Sequence, residues 1–393
     1  MILILSSISI SIFYLFRFYE TKEQEEIVIG YNADQSGTPI SHFGILGRYG
    51  FEIAVDEINS KGGILGKKIR AVILDDKGDK NISKQNMERL IFQEKAIAVV
   101  GPANSDAALY WLDLAQENEV IVISHIATAT EITTKYKDRP RNFIFGIRTL
   151  DKDQIRLSIA WGIKRSNNGE FAIIYESTSY GIQGAKDTTE VLSRWGKVPV
   201  FVKSFDRNIS IENLTKIIES AKEAKADVIM LYTYPDSNAK ILKAMENVID
   251  YNPILIGTAA NSLGLWQLAG SLSSKLVFPA PVGSDFNENT KILTQKIKDR
   301  YNVTAMLLSS AASAYDAVYL IKASIEKART FDKVAVRDAM ENIEIFNGTM
   351  RTFVRPFSKQ DHELLSVTDS FLSHWVDGKV VQIYEDISSL EIR

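Results

Sequence analysis

One small polar residue of this chain, Ser105, stands where a carboxylate or another anion could bind. Ser105 follows the apolar run 96–100 at the point where the next helix is expected to begin. Its hydroxyl and the free backbone amides of a helix start are donors suited to an anion. Ala127 and Thr128 lie in the loop after the run 120–124. Ser105 is thus a candidate anion contact, and Ala127 and Thr128 are candidate residues of the same cleft.

Aromatic and acidic residues follow other apolar runs. Tyr180 comes after "FAIIY", and Tyr234 and Asp236 come after "DVIMLY". Phe43 lies in the segment after the first run, where it could form the wall of a pocket. Tyrosine rings can also attract an ammonium group through the negative face of the ring. Together these residues suggest a pocket for a small polar molecule.

The elements that must position these residues are short, continuous, β-branched runs. Such runs are typical of strands buried on both faces of a parallel sheet. They are IVIGY (27–31), AVILDD (71–76), AIAVVG (96–101), VIVIS (120–124), FIFGI (143–147), FAIIY (171–175), VPVFV (198–202), DVIMLY (227–232), PILIG (253–257) and KLVFP (275–279). Amphipathic stretches separate them, as where Leu46, Tyr49 and Ile53 share one helical face. Strands alternating with helices predict parallel sheets, and ten runs predict two α/β lobes.

The C-terminal third has a different pattern. Helical stretches dominate 288–343, and strands are expected at 348–354 and 369–384, with Asp377-Gly378 as a hairpin turn. We predict a first lobe from 27–148 plus 281–347. The second lobe then takes 149–280 plus 348–393. Three crossings near 148, 280 and 347 would form a hinge between two doubly wound lobes.

In such sheets, ligands bind beyond the carboxyl ends of the strands, where the candidate residues stand. Simpler interpretations remain open for several of them. Ser105 could serve only as a helix N-cap, and Thr128 and Tyr234 could make only local hydrogen bonds. His125, beside the predicted cleft, could contact a ligand or only form a hydrogen bond nearby. Convergence of these loops on one cleft favours the binding interpretation.

Composition argues against several classes of function. The 393 residues include 46 Lys and Arg against 49 Asp and Glu, without a basic region suited to nucleic acid. The absence of cysteine excludes disulfides and thiolate chemistry. The glycine-rich stretch 59–68 follows a predicted helix and precedes a strand, the reverse of a phosphate-binding loop. We therefore expect no enzyme activity, no cofactor and no metal site.

The N-terminal segment is apolar over residues 1–16 and is followed by Arg17 and charged residues. It has neither a basic start nor a clear small-residue cleavage site, both of which a signal peptide normally shows. Residues 1–26 are therefore interpreted as a signal or a membrane anchor, with a misplaced start as the alternative. Either a signal or an anchor would make the protein exported, to the periplasm or the extracellular space, and an anchor would retain it at the membrane.

A family resemblance extends over nearly the whole chain, from about residue 27 to 384. The chain resembles the type I periplasmic substrate-binding proteins, and within them the leucine/isoleucine/valine-binding proteins of ABC importers. The motifs that carry this resemblance are AVDEINSKGGILGKKIRAVILDD, VGPANSDAA, VISHIATATEIT, FIFGIRT, AIIYESTSYGIQGA and YDAVYLIKASIEKA. Each motif alone is weak, whereas their order and spacing are fairly specific.

The resemblance implies a function and a role for each candidate. It implies a small-molecule ligand captured between two closing lobes and delivered to an ABC transporter permease in the membrane. Ser105, Ala127 and Thr128 match the positions that hold the amino-acid carboxylate. Tyr180 and Tyr234 resemble the aromatic residues of the second lobe that close over the ligand. An alternative with the same fold is a sensor that reports its ligand to a membrane partner.

One position departs from the family pattern. Phe43 resembles the aromatic residue of the first loop, but Ala259 stands where branched-chain amino-acid binders place the acid that pairs with the ligand ammonium. A desolvated ammonium without a counter-charge would be costly. Either Asp236 or Asp34 replaces that acid, or the ligand has no α-ammonium. Amino acids, amides and small carboxylates therefore remain open as ligands.

Overall fold

The computed structural model describes residues 26–38, 40–281, 287–303, 309–383 and 389–393. The predicted signal or anchor segment lies outside these residues except for Glu26, and it stays a prediction. Within the described ranges, none of the helices has the length and apolar character needed to cross a membrane.

The first sheet has five parallel strands in the order β2-β1-β3-β4-β5. Its strands are β1 (Ile27–Ala33), β2 (Ile69–Asp75), β3 (Ala98–Val100), β4 (Ile121–Ser124) and β5 (Ile144–Gly146). All residues of β1, β3, β4 and β5 are buried, which explains why their runs are continuously apolar instead of alternating. We call this sheet and the helices packed on it the first lobe.

The helices of the first lobe come from two separate parts of the chain. They are α1 (Ser41–Ser60), α2 (Lys80–Glu88), α3 (Ser105–Glu117) and α4 (Glu131–Thr134). The helices α10 (Glu288–Tyr301), α11 (Ser309–Ala328) and α12 (Lys333–Glu341) follow much later. Helix α1 is apolar on two sides because Phe51 packs in the sheet core, whereas Leu46 and Ile53 pack with residues of α10 and α11. Gly62 and Gly63 follow α1 with positive φ, as predicted for glycines that end a helix.

The second sheet has seven strands in the order β14-β13-β10-β9-β8-β6-β7. The parallel strands are β6 (Phe171–Glu176), β7 (Phe201–Phe205), β8 (Val228–Tyr232), β9 (Ile254–Gly257) and β10 (Leu276–Pro281). The antiparallel strands are β13 (Ser370–Val376) and β14 (Lys379–Gln382). Its helices are α5 (Asp151–Arg165), α6 (Ser179–Ser193), α7 (Ile211–Glu223), α8 (Pro235–Met245) and α9 (Leu263–Ala269). This sheet and its helices form the second lobe.

Two predicted strands have different bounds in the structure. The strand expected at 198–202 begins only at Phe201, since Pro199 has no N–H to donate to a sheet ladder. The strand expected at 348–354 is a hairpin of β11 (Ile345–Asn347) and β12 (Thr352–Val354). The turn between β13 and β14 follows the prediction, with positive φ at Asp377 and Gly378.

The chain passes between the two sheets three times, after β5, after β10 and before β13. These crossings are bonded side by side. The Gly146 amide donates to the His362 carbonyl at 2.8 Å, and the Leu364 amide donates to the Gly146 carbonyl at 2.9 Å. Strand β10 pairs with β13 at Pro281 and Ser370. The predicted class, two α/β lobes joined by a three-strand hinge, is confirmed.

The packing of the C-terminal segment bears on where the third crossing lies. Phe353, Phe357, Leu364 and Leu365 belong to the core of the first lobe. Leu372, by contrast, packs with the second lobe. We therefore propose that the first lobe continues to Leu365, instead of ending near 347.

Candidate ligand-binding site

One pocket lies between the two lobes. Six of the seven predicted ligand-binding residues line it, and they come from both lobes: Phe43, Ser105, Ala127, Thr128, Tyr180 and Tyr234. Most of its wall follows the carboxyl ends of strands, which is the expected binding place in an open α/β sheet. Ala259, after β9, lines the pocket as well.

Ser105 is the first residue of α3, and its side chain is nearly fully buried. The helix is not capped by Ser105, as one interpretation held, but by Asn104, whose side-chain oxygen accepts a hydrogen bond from the Ala107 amide at 2.9 Å. The Ser105 hydroxyl oxygen accepts from the Ala129 amide at 3.3 Å. Its proton is therefore available to a ligand at the positive end of the helix.

Backbone hydrogen bonds hold the loop of Ala127 and Thr128 in place. The Ala127 carbonyl accepts from the Ser124 hydroxyl at 2.9 Å and from Nε of Arg148 at 2.6 Å. The Thr128 carbonyl accepts from the Asp151 amide at 3.0 Å. These bonds connect the loop after β4 to the chain after β5, so that both present polar groups to one pocket.

The second lobe contributes a pair of tyrosines. The rings of Tyr180 and Tyr234 are stacked, with centroids 5.3 Å apart and planes 24° apart. Burial raises the pKa of both phenols well above the usual value, so both stay neutral. The Arg207 guanidinium lies 4.8 Å from the centre of the Tyr234 ring. Tyr234 is thus already in contact with a cation of the protein.

Phe43 closes the pocket from the first lobe. It lies in the first turn of α1, and its ring contacts that of His42 with centroids 4.1 Å apart. Phe43 also packs in one apolar cluster with Tyr180 and Tyr234 of the second lobe. An apolar cluster shared across the cleft is what excludes water from a closed binding site.

The two acids expected to replace the missing counter-charge lie elsewhere. Asp236 does not line the pocket; its Oδ1 is 2.9 Å from Nη2 of Arg207, in an ion pair on the second lobe. Asp34 accepts hydrogen bonds from the Gly37 amide and the Ser41 hydroxyl, both at 2.8 Å. Asp236 therefore lies outside the lining of this pocket, and its assignment to the ligand stays a prediction.

Asp34 also belongs to a group of three carboxylates at the end of β1 and β2. One oxygen each of Asp34, Asp75 and Asp76 lies within 4.8 Å of the others. Hydrogen bonds account for much of this arrangement, because Asp75 accepts from the Gln35 and Lys77 amides at 2.9 Å. These acids close the loop that leads into α1, at a distance from the pocket lining.

Sequence reasoning missed Arg148, which lines the pocket from the first crossing. Its side chain is only 5% exposed and forms an ion pair with Glu363, which is 8% exposed. Burial raises the pKa of Glu363, while the Arg148 charge acts in the opposite direction. The sequence signal was the polar pair Arg148-Thr149 directly after a strand end. The partner that holds the guanidinium could not be read from local sequence.

Asp151 is a second residue that the sequence did not reveal. It opens α5, is fully buried and does not line the pocket. Burial raises its pKa to about 7, although the nearby Thr128 hydroxyl opposes this shift. The carboxyl group therefore keeps its proton to a higher pH than an ordinary aspartic acid does.

Comparison with known proteins shows the family. A family profile described as "Periplasmic binding protein" matches residues 26–379. The chain belongs to the periplasmic binding protein family, which is a family of substrate-binding proteins. Within that family it is similar to the type I proteins whose relatives are named Leu/Ile/Val-binding proteins.

Among curated relatives, the chain is 26% identical over 370 residues to "Leu/Ile/Val-binding protein homolog 7" of Brucella suis, covering 90% of this chain and 91% of the relative. It is 24% identical over 305 residues to the leucine-, isoleucine-, valine-, threonine-, and alanine-binding protein of Pseudomonas aeruginosa, covering 77% of this chain and 79% of the relative. The family resemblance inferred from the motifs is thereby confirmed.

Solved structures agree on the fold. A type 1 periplasmic binding protein from Bordetella pertussis has a TM-score of 0.81 at 22% identity, covering 91% of this chain and all (100%) of that one. The substrate binding protein LivJ of a branched-chain amino acid transporter from Streptococcus pneumoniae, in complex with isoleucine, has a TM-score of 0.73 at 22% identity, with coverage of 91% and 100%.

Proposed function

We propose that this protein is an exported solute-binding protein that captures a small polar ligand between its lobes and delivers it to the permease of an ABC importer. The observation that carries the proposal is the shared pocket. Ser105 and Thr128 of the first lobe and Tyr180 and Tyr234 of the second lobe line the same space. A ligand held by both lobes favours the closed arrangement of the hinge.

Direct hydrogen bonds between the lobes support a closing mechanism. The Ser179 amide at the start of α6 donates to Oδ1 of Asp106 on α3 at 2.9 Å. The Thr130 hydroxyl donates to Oδ2 of Asp187 at 2.8 Å. In our proposal the ligand first binds the first lobe through Ser105 and Thr128. The lobes then close, these bonds form, and the permease recognises the closed shape.

A thermal-shift panel tests ligand capture. The protein is heated with amino acids, with the corresponding acids lacking the ammonium, and with their amides. A ligand at about 100 times its Kd stabilises the fold by about 2.7 kcal/mol, which is a readily measured shift. Tyr180→Ala should remove most of the shift, whereas Asp236→Asn should retain it because Asp236 pairs with Arg207. Absence of a shift with every compound would argue against a small-molecule binder.

Export is tested separately. Expression of the full chain in a bacterium, followed by fractionation and N-terminal sequencing, should place the protein outside the cytoplasmic membrane. Cleavage near residue 26 would identify residues 1–26 as a signal, and retention of the segment in the membrane fraction would identify an anchor. Recovery in the cytoplasm would contradict the proposed location.

A further inference from the structure

Two polar atoms in the pocket wall are buried and, among the described residues, have no hydrogen-bond partner. They are Nδ1 of His125 and Nη2 of Arg148. Both residues line the pocket and both are nearly fully buried. A buried polar atom without a partner costs about 1–3 kcal/mol. Each of these atoms is therefore an unsatisfied hydrogen-bonding group on a residue that lines the pocket.

The hydrogen bonds around His125 decide which kind of ligand atom it can meet. The Tyr31 hydroxyl donates its proton to the Gly44 carbonyl at 2.7 Å. The same oxygen lies 3.1 Å from Nε2 of His125. Because its own proton is directed to Gly44, it accepts a hydrogen bond from the N–H group at Nε2. Nε2 is thus the protonated nitrogen, and Nδ1 has a free lone pair. His125 presents an acceptor to the ligand.

The ring of His125 is fixed and neutral. Gly47 on α1 leaves room for it, since a Cβ at that position would lie 2.5 Å from Nε2 and 3.1 Å from Cδ2. The Nδ1 atom lies on the opposite side of the ring from this contact. Burial lowers the pKa of His125 to about 3, so the ring has no second proton at neutral pH. The acceptor is consequently an uncharged one.

Arg148 offers the opposite chemistry. Its Nε donates to the Ala127 carbonyl at 2.6 Å, and its Nη1 is paired with Glu363. With those two groups bound, Nη2 remains as a charged donor that can meet a ligand oxygen. The Ser105 hydroxyl and the start of α3 add further donors on the same side of the pocket. This combination suits a carboxylate.

A ligand ammonium lacks a partner in this wall. None of the Asp and Glu side chains in the described part of the chain lines the pocket. The buried carboxyl of Asp151, whose backbone amide donates to the Thr128 carbonyl, is close to the Thr128 loop but is not part of the pocket lining. A buried ammonium needs a carboxylate, whereas a hydroxyl group needs only a neutral acceptor such as the imidazole nitrogen.

We propose that the pocket binds a small 2-hydroxy acid, with its carboxylate at Arg148 and Ser105 and its hydroxyl donating to Nδ1 of His125. This inference rests on the proposed function and specifies its ligand class. An amide could also donate a hydrogen bond to His125. It has only one oxygen, however, whereas a carboxylate has two oxygens for the donors of Arg148 and Ser105. An amino acid would bring the positive charge of its ammonium group, and a neutral imidazole nitrogen cannot balance that charge.

Calorimetric titration of the purified protein at pH 7 tests this inference. The probes are 2-hydroxy-4-methylpentanoate, leucine, leucinamide and 4-methylpentanoate, together with 3-phenyllactate and phenylalanine for a larger side chain. We expect a hydroxy acid to bind at least about tenfold more tightly than the matching amino acid or amide. Loss of the hydroxyl group should weaken binding by about tenfold, the value of one good hydrogen bond.

The variant His125→Phe separates a ligand contact from a structural role. It should weaken the binding of the hydroxy acid by about tenfold and leave the affinity for 4-methylpentanoate unchanged. The variant His125→Gln, which retains a side-chain acceptor, serves if the phenylalanine variant does not fold. Equal losses for both ligands would overturn the contact. Tighter binding of leucine would overturn the hydroxy-acid assignment alone, and no binding by any probe would overturn the proposed function as well.

Discussion

The guanidinium of Arg148 and the carboxylate of Glu363 form a buried ion pair that joins the first and third crossings between the lobes. The Glu363 carboxylate also accepts a hydrogen bond from the Thr133 hydroxyl of the first lobe. Because Arg148 lines the pocket, the pair places a charge of the pocket wall directly at the hinge. One side chain therefore belongs both to the pocket wall and to the contact between two crossings.

The variant Glu363→Gln should strongly destabilise the protein. It leaves the Arg148 charge buried without a counter-charge, which costs about 3 kcal/mol. Urea unfolding measures the loss. The double variant Arg148→Met, Glu363→Leu should be less destabilised than the single variant, since it removes both charges. The exposed carboxylate of Glu212 provides a control, and Glu212→Gln should leave stability unchanged.

Asp151 should make stability fall as pH rises. Burial raises the pKa of this carboxyl in the folded protein to about 7, above the value of about 3.9 expected in the unfolded chain. Between these values the folded state binds more protons than the unfolded state, so stability is lost towards pH 7 and changes little beyond it. Asp151→Asn should therefore raise stability at pH 8 and flatten the profile between pH 5 and 7. An unchanged slope would contradict this assignment.

Asp106 should control how long the closed form lasts. Asp106→Ala removes the acceptor for the Ser179 amide across the cleft. The bond is partly exposed, and we expect ligand dissociation to become about threefold to tenfold faster. Stopped-flow dissociation measures this rate. Asp113→Ala is the matched control on the same helix, because Asp113 bonds to Tyr136 and Lys135 of the first lobe. A similar acceleration in both variants would contradict a specific contact between the lobes.

Ser105 and Asn104, which both line the pocket, should differ in their effects on stability and on binding. Asn104→Ala removes the cap of α3 and should cost about 1 kcal/mol of stability. Ser105→Ala should cost less stability but weaken ligand binding by about tenfold, because its hydroxyl is free to donate. Urea unfolding and calorimetry on both variants make the comparison. The idea fails if Ser105→Ala binds ligand as well as the unaltered protein.

Local sequence was sufficient for the strands and for most of the pocket. Continuous apolar runs identify strands buried on both faces, and parallel strands bring their carboxyl ends to one edge. Ser105, Thr128, Tyr180 and Tyr234 each stand just after such a run, so their convergence on one pocket could be predicted. A hairpin such as β11–β12 depends on the geometry of its turn, and a run of apolar residues does not reveal where that turn lies.

Long-range partners explain where the sequence misled. Asp236 stands after a strand end like the other candidates, but Arg207, 29 positions earlier in the chain, binds its carboxylate. Arg148 was overlooked because its partner Glu363 lies 215 positions away. The apolar residues Phe353 and Leu365 gave no sign of which of two cores they enter. Local pattern predicts burial, whereas partner identity needs the folded topology.

The order of the two lobes along the chain has a consequence for biosynthesis. The core of the first lobe includes Ile29 near its start and Leu365 near its end, and the parallel strands β6 to β10 lie between them. During translation, those five strands are complete before the residues that finish the first core have been made. The five-stranded sheet of the first lobe is therefore only partly covered while most of the second lobe is being synthesised.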